Sequence, residues 1–89
     1  MLVAGTGKGA TPRQRELGRR IKQHRERLGL SQEALALRAS INRTYIGSLE
    51  SGQRNPSLEN VIRLALALEV EVADLVRGLD ALPGRTPAA

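Results

Sequence analysis

Helix punctuation recurs so closely between residues 29 and 57 that only short helices fit between the marks. Gly29 reads as a stop, because the residue past a helix end often takes a left-handed backbone that glycine adopts without strain. Ser31 follows as an N-cap, with Glu33 in the first turn where the helix dipole favours a carboxylate. Asn42 and Ser57 are further caps, and Gly52 is a second stop. Between these marks the apolar residues recur with a period near 3.6, and no alternating β-branched run suggests a strand. The first helix is expected from Arg13 to Leu28, with Leu17, Ile21 and Leu28 on one stripe. The second covers Gln32 to Ala39 with Leu35 inward, and the third Arg43 to Ser51 with Ile46 and Leu49 inward. A fourth, Leu58 to Leu68, is expected to bury Leu58, Val61, Ile62, Ala65 and Leu68. A fifth, Val72 to Leu79, carries Leu75, Val76 and Leu79. The expected fold class is all-α, one five-helix domain over residues 13–82. Residues 1–12 read as a flexible N-terminal arm and residues 83–89 as a flexible tail.

Composition narrows the chemistry. Tyr45 is the only aromatic residue, so the core must be aliphatic. The absence of cysteine excludes disulfide scaffolds, thiolate metal sites and cysteine nucleophiles. His24, the sole histidine, falls on the apolar stripe of the first helix and reads as a satisfied, partly buried side chain; no metal site or cofactor is expected. The GTGKG at residues 5–9 lacks the spacing of a phosphate loop, and no strand precedes it. No carboxylates pair beside a base, and 89 residues leave little chain for a water-excluding cleft, so the chain is not expected to be an enzyme. No apolar run approaches a membrane span and the N-terminus has no signal-peptide pattern, which predicts a cytoplasmic protein without a membrane partner.

Charge is segregated. Residues 1–54 carry 11 basic and 4 acidic side chains, whereas residues 55–89 carry 3 and 5, within a total of +5. A basic half of this kind suits a polyanionic partner. The basic residues Arg13, Arg15, Arg19, Arg20, Lys22 and Arg27 on their own are read first as a solvated face.

The link Ser40-Ile41-Asn42 joins the second and third helices in the manner of a helix-turn-helix, whose second helix enters the DNA major groove. The outward residues of the third helix are Arg43, Thr44, Tyr45 and Ser48. Arginine can bond guanine O6 and N7 together, and threonine offers both a hydroxyl and a methyl. Gly47 costs this helix about 1 kcal/mol relative to alanine, a cost explained if a bare backbone approaches the second helix or DNA.

The segments LSQEALA (30–36), YIGSLESG (45–52) and RNPSLEN (54–60) carry a resemblance to the five-helix repressor-type helix-turn-helix family of lambdoid repressors and Cro proteins, over roughly residues 15–79. RTYI at 43–46 followed by RN at 54–55 also resembles restriction–modification controller proteins. The resemblance implies base contacts by Arg43, Thr44 and Ser48, with Tyr45 touching a base edge or a phosphate. It implies phosphate contacts by Gln32, Ser51, Arg54 and Asn55, and a structural ion pair between Arg25 and Glu50. Ser40 and Glu69 stand where the family favours glycine, while Leu37 and Leu66 stand where relatives carry polar residues. The function implied is a sequence-specific transcriptional regulator that binds double-stranded DNA at a palindromic operator as a homodimer. Val76, Leu79 and Leu82 are the expected dimer interface. The alternative is an antitoxin or other interaction module whose main partner is a protein, met through Leu37 or Leu66.

Overall fold

A computed structural model of the chain describes residues 10–84. Those residues form five α-helices and one short 3-10 turn. In chain order the helices are α1 (Pro12–Arg27), α2 (Gln32–Ala39), α3 (Arg43–Glu50), α4 (Leu58–Leu68) and α5 (Val72–Val76), followed by the turn Leu79–Ala81.

Side-chain caps set the starts. Thr11 and Gln14 form a reciprocal capping box ahead of Pro12, so α1 begins one residue earlier than the pattern predicts. Residues 1–9 of the expected arm and 85–89 of the expected tail lie outside the described residues. Ser31 Oγ accepts from Ala34 N at 3.0 Å, Asn42 Oδ1 from Thr44 N at 2.7 Å, and Ser57 Oγ from Asn60 N at 3.1 Å. Each bond satisfies one of the amides that a helix N-terminus leaves without a partner.

The core is aliphatic. Ile21, Leu35, Ile46, Leu49, Leu64, Leu68 and Leu75 are completely enclosed, drawing on all five helices. Each such side chain stabilises the fold by about 1.5–3 kcal/mol through the apolar area it removes from water. α1 lies across α3, α4 and α5, while α2 packs on α3 and α4. Gly18 permits the crossing of α1 and α3. A Cβ there would collide with the Leu49 carbonyl oxygen and stand 2.7 Å from that of Glu50.

Several expected core positions are revised. Leu28 is 38% exposed because α1 ends at Arg27, and the buried place after Leu17 and Ile21 goes to Arg25. Leu58 is 71% exposed at the first position of α4, and Ile62 is only half-buried. The buried stripe of α4 is Val61, Leu64, Ala65, Ala67 and Leu68, rotated from the expected one toward Leu64 and Ala67. α3 stops at Glu50 and α5 at Val76, leaving Leu79 to open the 3-10 turn. Arg13, helical as expected, is not part of a solvated face: its guanidinium is bonded to the C-terminal turn.

Candidate DNA-binding site

The site is built on the α2–α3 corner. Ser40 takes the left-handed backbone (φ 57°, ψ 45°) that turns the chain. Its amide bonds to the Leu37 carbonyl at 3.3 Å and that of Ile41 to Ala36 at 3.0 Å, closing α2. Ile41 packs against the core, so the corner is pinned by apolar contact as well as by hydrogen bonds.

From this corner α3 presents Arg43 and Thr44 as exposed residues in its first turn. Arg43 Nε lies 3.8 Å from Glu33 Oε2, a loose and exposed contact that leaves the guanidinium free to move. Ser48, one turn on, is half-buried and donates Oγ–H to the Thr44 carbonyl at 3.2 Å. Ser51 is exposed just past the end of α3 and donates to the Ser48 carbonyl at 3.0 Å. Tyr45, expected outward, has its ring half-buried against the core, with the Arg54 guanidinium 5.4 Å above the ring centroid. This cation–π contact gathers Arg54 back over α3. Asn55 is exposed beside it.

A buried polar network supports this face from behind. Arg25 Nε and Nη2 donate to the two carboxylate oxygens of Glu50 at 2.6 and 3.0 Å, and Nη1 donates to the Leu30 carbonyl at 2.8 Å. Hydrogen bonding to Glu50 raises the Arg25 pKa, against the burial that works to lower it. Gln32 Nε2 donates to Glu50 Oε1 at 3.1 Å, so one amide hydrogen orients the side chain and leaves a second donor on the same nitrogen. Nothing local in the sequence links Gln32 to Glu50. Gly18 has no sequence signal beyond a glycine inside an otherwise good helix.

Of the two close approaches expected of Gly47, to α2 or to DNA, the one to α2 is not found. A Cβ would stand 3.8 Å from Gln32 Oε1 and 3.9 Å from Nε2, which is ordinary contact. Gly47 also lies one turn beyond Arg43, on the same side of α3.

The expected interface residues lie at the C-terminal end. Val76 is 38% exposed, and Leu79 and Leu82 are half-buried, with Leu79 resting on the core. Exposed apolar side chains also stand on α2 (Leu37, 83%) and α4 (Leu66, 74%). His24 is half-buried with Nδ1 3.4 Å from Arg27 Nη1. Among the described residues no helix is long and apolar enough to cross a membrane.

Two short helices across a left-handed corner, with the second aiming a polar face outward from a buried network, define a helix-turn-helix domain. The profile of the Helix-turn-helix family matches residues 21–75, and the chain belongs to that family. Within it, the chain is similar to the Control protein C.BamHI of Bacillus amyloliquefaciens, at 40% identity over 60 residues, 66% of this chain and 74% of the relative. The crystal structure of the restriction-modification controller protein C.AhdI from Aeromonas hydrophila superposes with a TM-score of 0.67 and 44% identity, covering 68% of this chain and 92% of that one. The biofilm regulator SinR in complex with DNA superposes with a TM-score of 0.64 and 35% identity, covering 66% and 95%.

Proposed function

We propose that this helix-turn-helix regulator binds a two-fold symmetric DNA operator as a homodimer, laying α3 of each copy in the major groove. The observation that carries the reading is the polar face of α3, with Arg43 and Thr44 exposed in its first turn and the half-buried Ser48 one turn further. That face is held by the Arg25–Glu50–Gln32 network behind it. Similarity to controller proteins and to a regulator solved on DNA supports the same reading.

Arg43, Thr44 and Ser48 read base edges, and Tyr45 adds a contact to a base edge or a phosphate. Gln32, Ser51, Arg54 and Asn55 hold phosphates and fix the register. One α3 covers about half a helical turn, so two copies read half-sites about 10 base pairs apart or a multiple of that. Val76, Leu79 and Leu82 form the contact between copies. The protein acts in the cytoplasm, where its operator lies.

Comparison of two variants tests the assignment. Arg43→Ala is expected to cost about 1–3 kcal/mol and to relax preference at one position of each half-site. Arg54→Ala is expected to weaken every sequence alike and lower the salt slope by about one. Equal loss on all sequences with Arg43→Ala would make Arg43 a phosphate contact instead. A second reading, a protein partner met through the exposed Leu37 or Leu66, is favoured only if a defined partner co-purifies and is lost with Leu37→Ser or Leu66→Ser.

A further inference from the structure

The turn that carries Leu79 and Leu82 is fastened to the opposite end of the chain. Arg13, in the first turn of α1, donates Nε–H to the carbonyl oxygens of Leu79 at 3.1 Å and Leu82 at 2.8 Å. Its Nη2 lies 3.3 Å from the Asp80 carbonyl. Gly84 closes over the same group, since a Cβ there would stand 2.9 Å from Arg13 Nη1. Two turns along the same face of α1, Arg20 Nη1 donates to the Leu75 carbonyl at 3.1 Å.

These placements have a common cause. A cation in the first turn opposes the dipole of its own helix, and α1 has no acidic residue there to offset it. α5, for its part, has no basic residue in its last turn. The arginines of α1 donate to carbonyls at the ends of α5 and of the 3-10 turn, adding at Leu79 to the bond that its carbonyl accepts from the Leu82 amide at 3.1 Å.

We infer that Arg13 is a positioning residue for self-association, holding the Leu79–Leu82 turn in the shape a second copy of this chain meets. The inference rests on the dimer reading above. One planar guanidinium binding three carbonyls fixes the turn before contact, so association does not bear the cost of ordering it.

Sedimentation of the full chain tests this. Arg13→Ala is expected to weaken self-association about tenfold or more, with the helical circular dichroism of the dilute monomer retained. Arg13→Lys, which keeps the charge without the planar fork, recovers part of the loss. Gly84→Ala keeps the arginine but crowds its guanidinium out of position, is expected to weaken association less than Arg13→Ala does, and carries the test if Arg13→Ala does not fold. Leu79→Asp separates the two claims by giving folded monomers. If Leu79→Asp is monomeric while Arg13→Lys and Gly84→Ala associate like the unaltered chain, the positioning role is overturned and the interface stands. If Leu79→Asp also associates normally, the interface lies elsewhere and the inference falls with it.

Discussion

Arg25 and Glu50 meet as a bidentate pair, with Nε to Oε2 at 2.6 Å and Nη2 to Oε1 at 3.0 Å. The carboxylate is only 4% exposed and the guanidinium side chain 11%. Glu50 closes α3, the end where a helix dipole disfavours a negative charge, so its place there depends on Arg25. Through Leu30 and Gln32 the same pair ties α1, the loop after it, α2 and α3 into one rigid corner.

Removing one partner strands the other charge. Arg25→Ala is therefore expected to cost about 3–5 kcal/mol in denaturant unfolding. Replacing both, as Arg25→Met with Glu50→Leu, is expected to restore much of the stability because neither charge is then left buried. DNA affinity is not expected to return with it, since Gln32 has lost the carboxylate that orients it. Recovery of both together would show that the network serves stability alone.

Two mid-helix glycines make opposite predictions. At Gly18 the atoms that a Cβ would meet are backbone of α3 and cannot move aside, so Gly18→Ala is expected to destabilise the free protein by about 1–3 kcal/mol. At Gly47 there is room, and Gly47→Ala is expected to stabilise α3 by up to about 1 kcal/mol. The same change is expected to weaken DNA binding, because it adds a methyl on the side of α3 that carries Arg43. Thermal melting of the free protein and titration with operator DNA read the two effects separately.

Left-handed backbone at Ser40 (φ 57°) and Glu69 (φ 63°) is strained for side chains with a Cβ. Ser40→Gly and Glu69→Gly are each expected to stabilise by about 0.5–1 kcal/mol, the relief of strain being partly offset by the extra freedom of glycine in the unfolded chain. The exposed Arg38–Glu69 contact at 3.3 Å is too solvated to reverse the sign. Denaturant midpoints of the two variants check this.

Glu16 contributes an acid-sensitive part of the stability. Hydrogen bonds from Arg19 and then Arg20 hold its carboxyl at about 2, below the ordinary 4.5. Its folded value lies below its unfolded one, so its contribution is complete above about pH 4.5 and is lost as pH falls toward 2. The stability difference between the unaltered chain and Glu16→Gln is expected to shrink across that window. The effect is small, as befits a partly solvated pair. A difference that stays constant from pH 5 to 2.5 would contradict it.

How much of this was legible depended on whether a signal was local. Caps announce themselves in sequence, so Ser31, Asn42 and Ser57 placed the starts of α2, α3 and α4, and the helix-turn-helix followed from them. Burial at helix ends did not follow, because a periodic stripe says nothing of where the neighbouring helix stops. Leu28 and Leu58 continue their stripes yet project past the packing partners. The pairing of Arg25 with Glu50 came only from family resemblance, since nothing local links positions 25 apart. The Arg13 contacts, spanning up to 69 residues, had no sequence signal beyond a cation in an unfavourable first turn.

Selection from a random duplex DNA pool by the purified chain, at roughly physiological salt where non-specific attraction is screened, tests the central claim most directly. Enrichment of a two-fold symmetric site is expected, with half-sites about one helical turn apart or a multiple of that. Arg43→Ala is also expected to lose preference at one position of each half-site. Failure of the verified folded protein to enrich any sequence would contradict that claim.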